Sequence, residues 1–311
     1  MKKSEFSFIG DIATMFGSLP HHGFEPIGDD CTVLDMGDDA LVISTDMLVE
    51  DVHFLRAASS AEEVGYKSLM VNLSDVAAMG ATPVATLLSL SLSEATQSEW
   101  AEGFMRGFHE GCAKHGVALV GGDTTASRDR VCINVVAIGR AKKCNIKRRS
   151  AAKVGDIVCV TGKLGISSKG LVDIMFGDLH TTAAKAHRRA QARIEEGKWL
   201  GEMEAVHAMM DISDGVASDI KHIMEQSGVG AEIDTALIPT DYDIRYATTG
   251  GEDYELLLTV AKDRFEDIAR ELHAATGTEL TAIGCITEGD ELVWLENGKP
   301  TELELRGFTH F

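Results

Sequence analysis

The chain predicts an α/β fold in two parts, from three observations. Apolar runs of strand length alternate with segments of helical periodicity along the whole sequence. A basic patch of Lys142, Lys143, Lys147, Arg148 and Arg149 interrupts an otherwise acidic chain near its middle. The 311 residues suffice for about two domains with cores of their own. The boundary is therefore placed at the patch, giving residues 1–148 and 149–311 as two α/β domains of related size.

After a short amphipathic start, Gly28, Asp29, Asp30 and Cys31 set two adjacent acids behind a glycine, ahead of a strand-like run. Adjacent acids are commonly no more than a turn. Residues 41–46 read as a strand ending in three oxygen-bearing side chains, Ser44, Thr45 and Asp46, with His53 and Phe54 soon after. Such a strand end is placed to present oxygens to a ligand. A helix begins near Ala61, and its second half, residues 71–81, carries Asp75 as its single charge. Leu69, Met70, Leu73, Val76, Ala77 and Gly80 form an apolar face, and Ser68, Asn72 and Asp75 a narrow polar stripe. A helix so poor in charge is packed on most sides. An isolated carboxylate there is costly unless protonated, paired or bound to a cation, the plain alternative being a hydrogen bond from a nearby Ser or backbone amide.

Residues 85–92 read as a strand, and Thr96 with Glu99 as the capping box of a helix. Trp100, Phe104, Phe108 and Cys112 recur there at i, i+4 spacing and belong to a core. Ala118, Leu119 and Val120 run into Gly121, Gly122, Asp123, Thr124 and Thr125, again an apolar strand ending in an acid. The two glycines let the backbone approach something closely. Residues 131–138 are a further strand. Within the basic patch, the lysines read as solvated linker and Arg149 as a partner for a phosphate.

In the second half, a strand at residues 157–160 leads into glycine-rich residues 161–170, which lack the closing Gly-Lys-Ser/Thr of a Walker A loop. Residues 181–199 are Ala-rich, charged and helical. In the run Met209, Met210, Asp211, Ile212, Ser213, Asp214, Gly215, either Ser213 or Asp214 is placed to cap a helix through Ile220 and Ile223, which accounts for one acid and not both. Residues 231–233, 255–260 and 279–286 read as strands, and 263–276 as an amphipathic helix stopped by Gly277. Gly250, Gly251, Glu252, Asp253 and Tyr254 precede the middle strand.

Composition excludes several classes of function. Lys+Arg 29 against Asp+Glu 49 leaves a net charge of −20, which repels nucleic acid and anionic membranes, so neither is expected as a partner. The six cysteines are scattered without a C-x-x-C pair, as for free thiols in a reducing cytoplasm, and no zinc site is indicated. Neither an apolar leader nor a run of membrane-spanning length occurs, so a soluble cytoplasmic protein is expected. What remains is the acids. Asp30, Asp46, Asp75, Asp123, Asp211 and Asp214 all sit beside Gly, Ser or Thr at the ends of apolar segments. Together they predict one oxygen-ligand site for hard dications, with Mg²⁺ the natural occupant and phosphoryl transfer from a nucleotide the chemistry.

The same segments carry a family resemblance. Gly28 to Asp30, Ser44 to Asp46 with His53 and Phe54, residues 72–81, 121–123, 211–215 and 250–256, and the ending Gly307, Phe308, Thr309, His310, Phe311 look like the thiamine-monophosphate kinase family, in order and over nearly the whole chain. Residues 72–81 also resemble the wider superfamily of aminoimidazole ribonucleotide synthetase, selenophosphate synthetase and the hydrogenase-maturation dehydratase; His53, residues 250–256 and the C-terminal aromatics point to the kinase. The resemblance implies ATP-dependent phosphorylation of thiamine monophosphate to thiamine diphosphate, the substrate phosphate attacking the γ-phosphorus directly. An anionic nucleophile of that kind needs no strong general base. By analogy Asp30, Ser44, Thr45, Asp46, Asp75, Asp123, Asp211 and Asp214 ligate several Mg²⁺ ions. Gly122, Arg149 and Ser213 contact ATP, and His53, Glu252 and Phe308 contact thiamine monophosphate. The resemblance further implies a homodimer whose N-terminal mixed sheets join in a barrel, with a C-terminal α/β lobe over the cleft. Two departures stand out: Asp51 lies where the family has Gly, and residues 188–194, expected on the lobe's surface, lack its proline-containing pattern. The rival readings are another ATP-using member of the superfamily and a noncatalytic nucleotide or metal sensor. Against the first stand the absence of Cys before Gly28 and an ending at Phe311 without a cysteine-bearing tail.

Overall fold

A computed structural model describes residues 4–96, 98–301, 305, 307 and 308; Arg306, Thr309, His310 and Phe311 of the C-terminal motif lie outside the described residues. The first half runs α1 (Glu5–Phe16), β1 (Thr32–Asp35), β2 (Asp39–Val49), α2 (Ala61–Ala78), β3 (Thr82–Ser93), α3 (Ser98–His115), β4 (Ala118–Ser127) and β5 (Cys132–Lys142). Its five strands pair in the order β1-β2-β5-β3-β4, antiparallel except for β3 with β4. Burial alternates along β2 and β5, because one face of the sheet packs on α2 and α3. The other face keeps Leu41, Ile43, Leu87, Val136 and Ile138 half-exposed. The edge strand β4 is exposed almost throughout, Leu119 by 45% and Val120 by 60%.

A true capping box opens α2: Ser60 Oγ accepts the Glu63 amide, and Glu63 Oε2 accepts the Ser60 amide at 2.8 Å. The box expected at Thr96 is displaced. The helix α3 starts at Ser98, and the Thr96 hydroxyl lies 2.9 Å from Ser93 Oγ instead. The two helices touch backbone to backbone, since a Cβ on Gly65 would fall 2.0 Å from the Phe104 carbonyl oxygen and one on Gly107 1.9 Å from that of Glu62. Phe104 and Phe108 are buried along the seam, as their spacing predicts.

The second half contains β6 (Ile157–Thr161), α4 (Ile166–Met175), α5 (Thr182–Arg188), α6 (Ile194–Gly201), β7 (Val206–Asp211), α7 (Val216–Ser227), β8 (Gly230–Asp234), α8 (Ile244–Thr249), β9 (Leu256–Val260), α9 (Phe265–Thr276), β10 (Leu280–Thr287), β11 (Leu292–Glu296) and β12 (Lys299–Pro300). The seven strands run in the order β12-β11-β8-β10-β6-β9-β7. This sheet is covered on both faces. Val158, Val160, Met210 and Leu257 enter one core with α7, while Cys159, Met209, Leu256 and Leu258 enter another with α6 and α9. A strand buried on both faces reads as a continuous apolar run, which is why β9 is Leu-Leu-Leu.

Three expectations are corrected here. The helical stretch 181–199 is two helices: the backbone leaves the helical region at Arg189 (φ −130°, ψ 62°), whose guanidinium lies 4.2 Å from the centre of the Tyr66 ring on α2. Residues 188–194, expected on the surface, instead help to fasten the halves, with Arg188, Ala190 and Ile194 buried and Gln191 exposed. Arg188 is buried and donates to Glu63 of the first half at 3.0 Å, and Ala190 and Ile194 join the N-terminal core, while Arg193 donates to both oxygens of Glu255 in its own half at 2.5 and 2.6 Å. Lys147, expected in solvent, is buried and donates to the carbonyls of Met203 (2.7 Å) and Val206 (2.8 Å); burial lowers its pKa to about 8. All six cysteines are free, and among the described residues no helix is long and apolar enough to cross a membrane.

Candidate active site

A cleft of about 610 Å³ opens between the halves, and α2 lies along it. From α2, Asn72 Oδ1 accepts the Asp46 amide of β2 at 2.9 Å, and Ser74 Oγ donates to Asp211 Oδ2 at the end of β7 at 2.5 Å. One helix turn thus ties an acid-bearing strand end of each half to itself. Next along, Asp75 meets Asp30 and Asp211, and one oxygen from each of the three carboxylates lies within 4.8 Å of the others.

The cluster is electrostatically crowded. Burial, reinforced by Asp46, Asp211 and Asp30, pushes Asp75 well above the usual carboxylate range. Burial and then Asp30 raise Asp211 to about 8 and Asp29 to about 7, and raise Asp46 as well. The nearest counter-charge is Arg149, whose Nη2 donates to Asp30 Oδ1 at 2.6 Å. Asp30 Oδ2 is buried without a hydrogen-bond partner among the described residues, and the buried Ser44 hydroxyl lies beside Asp75. Converging carboxylates that cannot all ionise unaided, with an orphaned carboxylate oxygen among them, have the chemistry of a donor set for a hard dication. The residues present therefore fit Mg²⁺.

The far wall is made by residues 249–255 pressed against 211–214. Glu252 N–H donates to the Ser213 carbonyl at 2.8 Å and Tyr254 N–H to that of Ile212 at 3.0 Å, and a Cβ on Gly251 would fall 2.1 Å from the Ser213 carbonyl oxygen. Glu252 and Tyr254 take left-handed conformations, φ 64° and 52°, that this clamping holds in place. The Glu252 carboxylate meets Lys67 Nζ at 2.9 Å and His187 Nδ1 at 3.3 Å. Near the other end, Asp51 adopts φ 65°, a conformation in which a Gly would be at ease; the turn closes nonetheless, and Val49 N–H donates to His53 Nδ1 at 3.0 Å. Phe308 N–H donates to the Asp214 carbonyl at 3.2 Å, and the residue, 51% exposed, lines the cleft.

Of the residues singled out in the sequence, Thr45, Asp46, His53, Asp75, Asp211, Ser213, Asp214, Glu252 and Phe308 line the cleft. Asp30 joins through the cluster, Ser44 is buried, and Arg149 sits on Asp30. Gly122 and Asp123 are elsewhere, on the exposed edge strand β4. Gly122 has a local reason: a Cβ there would fall 1.8 Å from the Leu88 carbonyl oxygen of the paired strand. Asp123 Oδ1 accepts the Thr124 amide at 2.9 Å. Neither Ser213 nor Asp214 caps α7; its N-cap is Gly215 at φ 98°, ψ 150°, and Asp219 in the first turn accepts the Asp214 amide at 3.3 Å. The glycine-rich segment is not a phosphate loop, because the Asp253 carboxylate already takes the Gly165 and Ser167 amides at the start of α4, at 2.6 and 3.2 Å. Lys67, Ser74 and His187 escaped the sequence reading. Only Lys67 carried a signal, standing two i, i+4 steps before Asp75.

Two domain profiles match the chain: AIR synthase related protein, N-terminal domain, over residues 28–141, and AIR synthase related protein, C-terminal domain, over residues 153–294. The thiamine-monophosphate kinase of Escherichia coli (strain K12) is 36% identical over 307 residues, covering 92% of this chain and 91% of its own. That of Bacillus subtilis (strain 168) is 32% identical over 323 residues, covering 94% and 95%. The solved structure of AaThiL complexed with AMPPCP and TMP superposes with a TM-score of 0.86 at 32% identity, covering 100% of this chain and 99% of that one.

Proposed function

Because the chain belongs to the thiamine-monophosphate kinase family, among the AIR synthase related proteins, we propose that it transfers the γ-phosphoryl group of ATP to thiamine monophosphate, giving thiamine diphosphate and ADP. A bond forms between an acceptor phosphate oxygen and the γ-phosphorus as the bond from that phosphorus to the β-phosphate oxygen breaks. The observation that carries this reading is the convergence of Asp30, Asp75 and Asp211, drawn from both halves, at one end of a cleft whose other wall offers a carboxylate and an aromatic face.

Asp30, Asp75 and Asp211 would hold Mg²⁺, with Ser44, Thr45, Asp46 and Asp214 at hand for further ions; the metal supplies the charge neutralisation that lets two phosphate groups approach. Arg149 pairs with Asp30 and holds its carboxylate at the cluster. We assign Ser213, with Arg149, to ATP. No side chain has to remove a proton, since the acceptor oxygen is already anionic. Positioning is then the chain's main work. His53 and Glu252 take the acceptor, and Phe308 gives its cationic ring a platform, an interaction of ~0.5–2 kcal/mol.

The exposed edge of β4 and the bare apolar face beside it support a homodimer in which two N-terminal sheets complete a barrel, residues 1–148 serving metal, ATP and pairing and residues 149–311 forming the lobe. Gly122 and Asp123 belong to the site in this reading only through that pairing. The charge and free thiols suit the cytoplasm. Purified protein with ATP, Mg²⁺ and thiamine monophosphate should form ADP and thiamine diphosphate one for one, and nothing with EDTA. ADP release independent of thiamine monophosphate, or equal turnover of free thiamine, would contradict the assignment.

A further inference from the structure

Lys67 is a buried cation, 3% exposed, on the wall of a cleft that also presents Arg188, two histidines and several acids. On α2 it stands on one face with Val71 and Asp75, all three lining the cleft. Eight residues of helical rise put it ~12 Å along the axis from the carboxylate cluster. Thiamine monophosphate has its phosphate at one end, a thiazolium in the middle and a neutral aminopyrimidine at the other. With its phosphate at the cluster, its pyrimidine falls toward Lys67. This step rests on the function proposed above.

The chemistry at Lys67 suits that end of the molecule. Its ammonium donates to Glu252 Oε2 at 3.0 Å and lies 2.9 Å from Oε1, and it has no other hydrogen-bond partner among the described residues, so donor capacity is left. The carboxylate retains acceptor capacity beside Lys67 and His187. Burial, and then Lys67, lower His187 to about 4, so it is neutral near pH 7 and the Lys67–Glu252 pair has no net charge. A neutral patch with a donor next to an acceptor matches a ring edge that carries an amino group next to a ring nitrogen. It does not match a phosphate. We propose that Lys67 is a specificity-determining residue, whose ammonium and the Glu252 carboxylate together read the aminopyrimidine edge of the acceptor.

The test compares thiamine monophosphate with the phosphate ester of 4-methyl-5-hydroxyethylthiazole, which keeps the phosphate arm and lacks the pyrimidine. Wild-type protein should prefer thiamine monophosphate by ~100-fold or more in kcat/KM. In Lys67→Met, kcat/KM for thiamine monophosphate should fall by ~30-fold, mainly through KM, while the thiazole phosphate and the KM for ATP change by less than ~3-fold. Equal losses on both acceptors would show that the pair merely fastens α2 to residues 250–255, and would overturn the proposal. If Lys67→Met does not fold, Lys67→Arg carries the test: a different donor layout should narrow the preference, and an unchanged preference overturns the proposal. Wild-type turnover of thiamine monophosphate is the control; its failure would strike the functional assignment first.

Discussion

The two sheets are built from similar apolar strands and are buried differently. Both faces of the C-terminal sheet are covered by helices, so β6, β7 and β9 feed two cores by alternate residues. The N-terminal sheet is covered on one face only, and its edge strand β4 is bare. The first arrangement is complete within one chain; the second has the form of half an interface. The helix α2 holds an acid-bearing strand end of each half, Asp46 of one by Asn72 and Asp211 of the other by Ser74. The site is therefore a property of the seam.

The most severe way to break the seam is to remove its central charge. Asp75→Asn should lower kcat by about 10³-fold, as expected when one charged group serving a transition state is lost. Its Tm without Mg²⁺ should hold or rise, because one member of a crowded set of carboxylates has gone. An ordinary hydrogen-bonded core acid would give the reverse, activity kept and Tm lowered.

Asp75 was legible because a lone charge on an apolar helix has few explanations, and Asp30, Asp46 and Asp211 because each ends an apolar segment. What was illegible depends on distant contacts. β7, with Ala, His and two Met, has little intrinsic strand character and becomes a strand by pairing with β9. Arg189 stops a helix that composition would continue because Tyr66 receives its guanidinium. Lys147 looks like linker until Met203 and Val206 supply carbonyls. Gly215, not a polar neighbour, begins α7 because a Cβ there would fall 2.8 Å from the Gly250 carbonyl oxygen. Asp123 shows the limit of pattern. It shares the sequence setting of the clustered acids, yet it stands on an edge that one chain leaves open.

A smaller perturbation sharpens the contrast between sheets. Leu257→Ala, in the doubly covered sheet, should cost ~2–5 kcal/mol of stability, while Val136→Ala on the bare face of the other should cost ~1 kcal/mol or less in dilute protein. Denaturant unfolding measures both. If pairs form through that face, the Val136 effect should grow with protein concentration; equal, concentration-independent losses would remove the contrast.

The most direct test of a dication site shared by both halves is the thermal stability of nucleotide-free protein against pH, with and without Mg²⁺. Asp211 near 8 and Asp29 near 7 in the folded state lie above the ordinary 3.8, so the stability they confer is full below about pH 4 and is lost as pH rises through those values. Without metal, Tm should therefore decline from pH 5 to pH 8.5. Added Mg²⁺, which binds the ionised carboxylates, should do little at pH 5 and restore most of the loss at pH 8.5, and Asp211→Asn should flatten both responses. A Mg²⁺ effect of equal size at both pH values, unaltered in Asp211→Asn, would contradict the account.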